Sequence, residues 1–109
     1  MKEEAQKKVD ELSNMEQNAQ NLISQRQSLQ TRLMEIDSAL EEINSPEVSK
    51  IIGNIVVKTD SEKVKGELKE KKELVSKRLE LVKNQESQLS KKADSLREEV
   101  MELLEKNKE

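Results

Sequence analysis

Two long stretches of this chain carry apolar residues at alternating intervals of three and four, and one short run with a different period separates them. In the first stretch the seam reads Met15, Ala19, Leu22, Arg26, Leu29, Leu33, Ile36, Leu40 and Ile43. That spacing predicts a helix with one narrow apolar stripe, the mark of a coiled coil. Upstream lie Ala5, Val9 and Leu12, and the second successive step of three, from Leu12 to Met15, predicts a local break of phase. This helix is expected over about residues 3–44. It stops at Ser45-Pro46, because a proline disfavours helical geometry in the residue before it. In the second stretch Leu68, Val75, Val82, Leu89, Leu96 and Leu103 recur every seven residues, with Lys72, Leu79, Glu86, Ala93 and Val100 as companions. A helix is expected there over about 60–107, opened by Thr59 as N-cap and Glu62 as the reciprocal capping-box residue.

Between the helices the period changes to two. Val48 to Lys58 reads as a β-hairpin turning at Gly53-Asn54, a type II′ turn with glycine at the position that needs positive φ. Pairing across the turn sets Ile52 opposite Ile55, Ile51 opposite Val56 and Lys50 opposite Val57. One face then carries Val48, Ile52, Ile55 and Val57, and the other carries Ile51 and Val56. An isolated two-stranded hairpin is marginal in water, so a hairpin apolar on both faces calls for a partner outside the chain. The sequence therefore implies assembly before it implies any activity.

One tight connection forces the helices to run antiparallel. Leu40 then meets Leu68, Leu33 meets Val75, Leu29 meets Leu79, Ala19 meets Leu89 and Leu12 meets Leu96. Apolar positions find each other although neither pattern was read from the other. The expected fold is mostly α with a small β-hairpin, a single domain over 1–109. It is a long antiparallel two-helix coiled coil, with arms of roughly 60–70 Å at ~1.5 Å per residue, a β tip at one end and both termini at the other. Arg26 and Glu86 interrupt the seam, either with Arg26 snorkelling over Val82 or with the two forming a cross-helix ion pair. On the exposed face Glu67–Lys71, Glu73–Lys77 and Glu102–Lys106 are spaced to pair at about 0.3 kcal/mol each. Gly66 is either a tolerated weak spot in the second helix or a point of close approach or bending near the hairpin.

Composition narrows the function. Charged residues make up 39% of the chain, and Phe, Tyr and Trp are absent, which suits a narrow seam rather than a globular core. No His, no Cys and only two glycines leave no nucleophile pair, no metal-ligand cluster and no phosphate-cradling loop, so no enzyme and no cofactor are expected. A net charge of −3, with five basic against nine acidic residues in 1–44, speaks against nucleic acid. No apolar run approaches the length of a membrane span, and the polar start Met1-Lys2-Glu3-Glu4 is unlike a signal peptide, so a cytoplasmic protein is expected.

A long helix, a Pro-containing turn, Val48-x-Lys50-x-x-Gly53-Asn54-Ile55-x-Val57-Lys58, a capped start and a second heptad helix with Glu67-Leu68-Lys69-Glu70-Lys71-Lys72-Glu73-Leu74 together resemble the β-class subunit of prefoldin, in its compact archaeal form. Prefoldin is a co-chaperone of archaea and eukaryotes. Ser49 stands where members often carry an aromatic residue, and the Pro- and Gln-rich lead-in is missing. The resemblance implies that hairpins join into an oligomeric β-barrel, with Val48, Ile51, Ile52, Gly53, Asn54, Ile55, Val56 and Val57 as the oligomerisation element. It implies a hexamer of two α-class and four β-class subunits that holds unfolded clients without ATP and passes them to a group II chaperonin. Client contacts are expected where the termini meet, at Val9, Leu12, Leu96, Val100, Met101, Leu103 and Leu104, with Met101 and Leu104 beside the seam rather than on it. The competing readings are a coiled-coil spacer or oligomerisation protein that binds no client, and an RNA-gripping helical hairpin, which would want a basic stripe.

Overall fold

The computed structural model describes residues 2–108, so Met1 and Glu109 lie outside it. Helix α1 (Lys2–Glu42) is followed by strand β1 (Glu47–Ile52), strand β2 (Ile55–Asp60) and helix α2 (Ser61–Lys108). The chain divides into two compact units, Met1–Gln27 with Leu81–Glu109, and Ser28–Glu80.

In the first unit the two helices run antiparallel. As numbers rise along α1, the ion-pair partners on α2 fall: Lys8 Nζ lies 3.0 Å from Glu99 Oε2, Glu16 Oε1 lies 3.5 Å from Arg97 Nη2, and Arg26 Nε lies 2.9 Å from Glu86 Oε1. On α2, Val82, Ala93, Leu96 and Val100 are buried, and Glu86, Leu89 and Leu103 are half-buried between them. On α1 in this unit the buried or half-buried positions are Ala5, Lys8, Leu12, Met15, Ala19, Leu22 and Arg26, with Ile23 half-buried beside Leu22. Steps of three and four alternate through that series without a slip. The phase break expected at Leu12 to Met15 is therefore absent. Lys8 holds the seam position, reaching out with its ammonium, and Val9 stands beside the seam at 39% exposure. Choosing the apolar residue over the in-phase lysine produced the wrong phase; a long lysine stem can line a seam while its head stays wet.

The second unit holds the hairpin and the helical segments flanking it. Leu29 and Leu79 are its buried apolar pair, both 8% exposed. Helix α1 ends at Glu42, two residues before the expected limit. Ile43 N–H still donates to the Ala39 carbonyl at 3.1 Å. The next donors run out at Pro46, which has no N–H to offer the Glu42 carbonyl.

The strands pair antiparallel in the expected register, Ile52 with Ile55, Ile51 with Val56 and Lys50 with Val57, and continue to Val48 with Thr59 and Glu47 with Asp60. Gly53 has φ +60°, and no other described residue has positive φ. Positive φ at the first central residue alone is the signature of the II′ turn. Beyond the ladder, Ser61 N–H donates to the Pro46 carbonyl at 3.0 Å and closes the base of the hairpin. Because β2 runs through Thr59 to Asp60, the helix cap moves one residue on: Glu62 N–H donates to Asp60 Oδ1 at 3.2 Å, and Thr59 remains a strand residue. Gly66 has open space around the site of a β-carbon, with nothing within 4 Å, so it is a tolerated weak spot and not a close approach. Of the three intrahelical pairs read from sequence, Glu73–Lys77 forms at 3.4 Å, whereas Glu67 turns away from Lys71 towards Lys50.

Candidate functional site

The hairpin is the most apolar exposed surface in the second unit. Ile51 is 74% exposed, Val56 65%, Ile55 64%, Ile52 57% and Val57 41%. Only Val48, nearest the base, is half-buried. The pleat divides these side chains between both faces, so a covering element on one side alone leaves apolar surface in water. Both strands are also edge strands, each with a row of ladder groups open to a further strand.

A side-chain ion pair ties the hairpin to α2 beyond the cap at Asp60. Lys50 Nζ donates to Glu67 Oε2 at 2.7 Å. That hydrogen bond is the main reason the Glu67 carboxyl is held below the ordinary glutamate range; the attraction of Lys50, Lys63 and Lys71 adds to it and partial desolvation opposes it. Lys50 shares its face of the strand pair with Val48, Ile52, Ile55 and Val57, which identifies the face turned towards α2. Sequence reading missed this contact because seventeen residues separate the partners. The strand-face assignment of Lys50 was the one signal that pointed to it.

In the first unit the expected contact residues separate into three groups. Leu96 and Val100 are buried in the seam, each 7% exposed. Leu12 and Leu103 are half-buried, and Val9, Met101 and Leu104 stand clear of the seam, with Met101 64% and Leu104 49% exposed. Val9 and Leu104 occupy positions one heptad outward from Glu16 and Arg97, whose side chains meet across the helices. The heptad repeat therefore sets Val9 and Leu104 on the same side of the seam as that ion pair. Nearby, Lys8 donates to Glu99. That hydrogen bond holds its ammonium above the ordinary lysine range, helped by the attraction of Glu99, Glu4 and Glu11 and opposed by partial desolvation.

Among the described residues no group of His, Cys, Asp or Glu could hold a metal ion, and no helix is long and apolar enough to cross a membrane. The exposed surfaces offer apolar side chains, carboxamides and charges.

Comparison with known proteins gives a consistent answer. Residues 6–107 match the family described as prefoldin subunit. The chain is 35% identical over 105 residues to the prefoldin subunit beta of Thermococcus onnurineus, covering 93% of this chain and 90% of that one. To the prefoldin subunit beta of Pyrococcus abyssi it is 34% identical with the same coverage, and to that of Sulfurisphaera tokodaii 31% over 107 residues, covering 94% and 86%. The crystal structure of the prefoldin beta subunit from Thermococcus strain KS-1 superposes with a TM-score of 0.85 at 33% identity, covering 93% of this chain and 92% of that one.

Proposed function

The chain belongs to the prefoldin family, and from that premise we propose that it is a β-class subunit of an ATP-independent chaperone, a protein that holds unfolded polypeptides and catalyses nothing. Its hairpin assembles with those of an α-class subunit and further β copies, two α and four β to a hexamer, into a β-barrel that covers both apolar faces at once. The observation that carries this is the hairpin itself: five large apolar side chains exposed across both faces of an open-edged strand pair. A coiled-coil spacer without clients would need only a polar turn there.

Clients are gripped at the helix ends of the first unit. Val9, Met101 and Leu104 are the first contacts because they are exposed without unpacking anything. Leu12, Leu96, Val100 and Leu103 join when the ends fray. Flexible Met and Leu surfaces accommodate varied sequences, and several arms acting together turn weak contacts into useful affinity. The held client passes to a group II chaperonin in the cytoplasm.

Aggregation suppression tests this reading. The chain is assembled with an α-class subunit and mixed, without nucleotide, with a heat-unfolding client. The triple variant Val9→Ser, Met101→Ser, Leu104→Ser is expected to keep its mass by light scattering and lose most of its protection. Ile52→Asp or Val57→Asp is expected to lose the assembly while remaining helical by circular dichroism. Full protection by the triple variant would sink the client-holding role, and an unchanged mass for the hairpin variants would sink assembly through the hairpin.

A further inference from the structure

Residues 17–25 contain no charged side chain in a chain that is 39% charged, yet five of these nine are Asn or Gln. The structure sets three of them along one groove. Asn18, Asn21 and Gln25 of α1 face Gln85 and Gln88 of α2 across a cleft of about 440 Å³ in the first unit. Leu22 and Leu89 form its floor, and Lys92 closes one end. A second groove at the same level is lined by apolar Ala19, Ile23 and Ala93 with Glu16, Glu86 and Arg97 at its rim, where Arg97 and Glu16 pair at 3.5 Å. Asn and Gln line the first of these grooves and are absent from the lining of the second. Among the described residues none of these five exposed carboxamides is paired, so their donors and acceptors face water.

We propose that this amide-lined cleft binds the main chain of an unfolded polypeptide in extended form. The chemistry selects the ligand. A carboxamide offers both a donor and an acceptor, as does each peptide group. An anion would find a single cation, Lys92, and a cation would find no carboxylate. A sugar ring would find no aromatic face to stack on, since the chain has none. On both helices the polar positions repeat at i, i+3 and i+7, about 10 Å of groove, which accommodates about three residues of extended chain. Each hydrogen bond competes with water and is individually weak, so the contact supports holding and sliding rather than tight capture. Main-chain recognition is blind to side chains, and peptide groups are what every unfolded client has in common.

The proposal rests on the client-holding reading above, and the test separates the two. A photo-crosslinking residue is placed at Gln88, at Met101 or at Lys77 of the assembled protein, which is then mixed with reduced and alkylated lactalbumin, a chain that stays unfolded. Crosslinks are expected at 88 and 101 and not at 77. A neutral competitor peptide is expected to reduce the crosslink at 88 about fivefold more effectively than its backbone N-methylated counterpart, roughly the loss of one net hydrogen bond. Crosslinking at 101 without 88 overturns the cleft and leaves the client-holding reading standing. Crosslinking at neither site overturns both. Equal competition by the two peptides, or crosslinks at 88 only to other copies of this chain, overturns main-chain recognition.

Discussion

Arg26 Nε donates to both carboxylate oxygens of Glu86, at 2.9 and 3.1 Å, joining the two charged residues that interrupt an otherwise apolar stretch of seam. Both are partly shielded, with side chains 28% and 23% exposed. At that burial, desolvation offsets much of the attraction, so the pair fixes alignment more than it stabilises. A double-mutant cycle is the fitting measurement. Arg26→Leu or Glu86→Leu alone is expected to cost roughly 1–2 kcal/mol, less than the ~3–5 kcal/mol of a fully buried pair. The double variant is expected to regain at least native stability in urea unfolding. Additive losses would mean that the contact carries no coupling.

The seam phase is tested about two turns from the start of α1. Lys8→Leu places an apolar side chain on the seam and is expected to raise stability by about 1 kcal/mol. Val9→Ser, beside the seam, is expected to change it by less than ~0.5 kcal/mol. If the seam ran through Val9, the two effects would trade places in a thermal melt.

The two glycines respond with opposite signs. Neither has anything within 4 Å of an added β-carbon, so the backbone alone decides. Gly53→Ala forces a side chain into the left-handed region and is expected to cost about 1–2 kcal/mol. Gly66→Ala removes flexibility from a helix interior and is expected to gain about 0.5–1 kcal/mol. Denaturation midpoints of the two variants, compared with the native chain, check both.

Acid exposes the Lys50–Glu67 contact. The Glu67 carboxyl titrates lower in the folded chain than in the unfolded one, chiefly because Lys50 hydrogen-bonds to its charged form. Its contribution is therefore complete above the unfolded value, about 4.3, and is lost as pH falls through the lower folded value. The native chain is expected to be more stable than Glu67→Gln at pH 7, with the gap closing below about pH 4. Lys8 works at the other extreme: its raised value makes its contribution complete below about 10.4 and lost at higher pH. A Glu67→Gln difference that persists undiminished at pH 2–3 would remove Lys50–Glu67 as its source.

Much of this molecule was legible in its sequence because several local signals agreed. Gly53-Asn54 between two apolar runs of period two specified turn type, register and strand faces together. The tight connection required antiparallel helices, the heptads matched in that register, and proline specified where α1 must stop. The misreadings came where two signals competed. Val9 looked like the seam because it is apolar, yet counting back from Met15 in steps of three and four reaches Leu12, Lys8 and Ala5. Thr59 looked like the cap because the box spacing fits, but the strand consumed it and handed the role to Asp60. The Glu67–Lys50 contact and the amide lining of one groove depend on which side of the seam each residue faces, and composition does not carry that information.

The unbroken phase from Ala5 to Arg26 makes the reach of this coil a quantity that changes in steps. Removing residues 12–18 from α1 together with the facing 90–96 from α2 restores the same alternation on both helices and shortens the coil by about 10 Å. A deletion of one residue instead turns everything beyond it by about 100° and carries the seam off its partner. Lineages that adjust the span of such a coil are thus confined to matched sevens, gained or lost on both helices together.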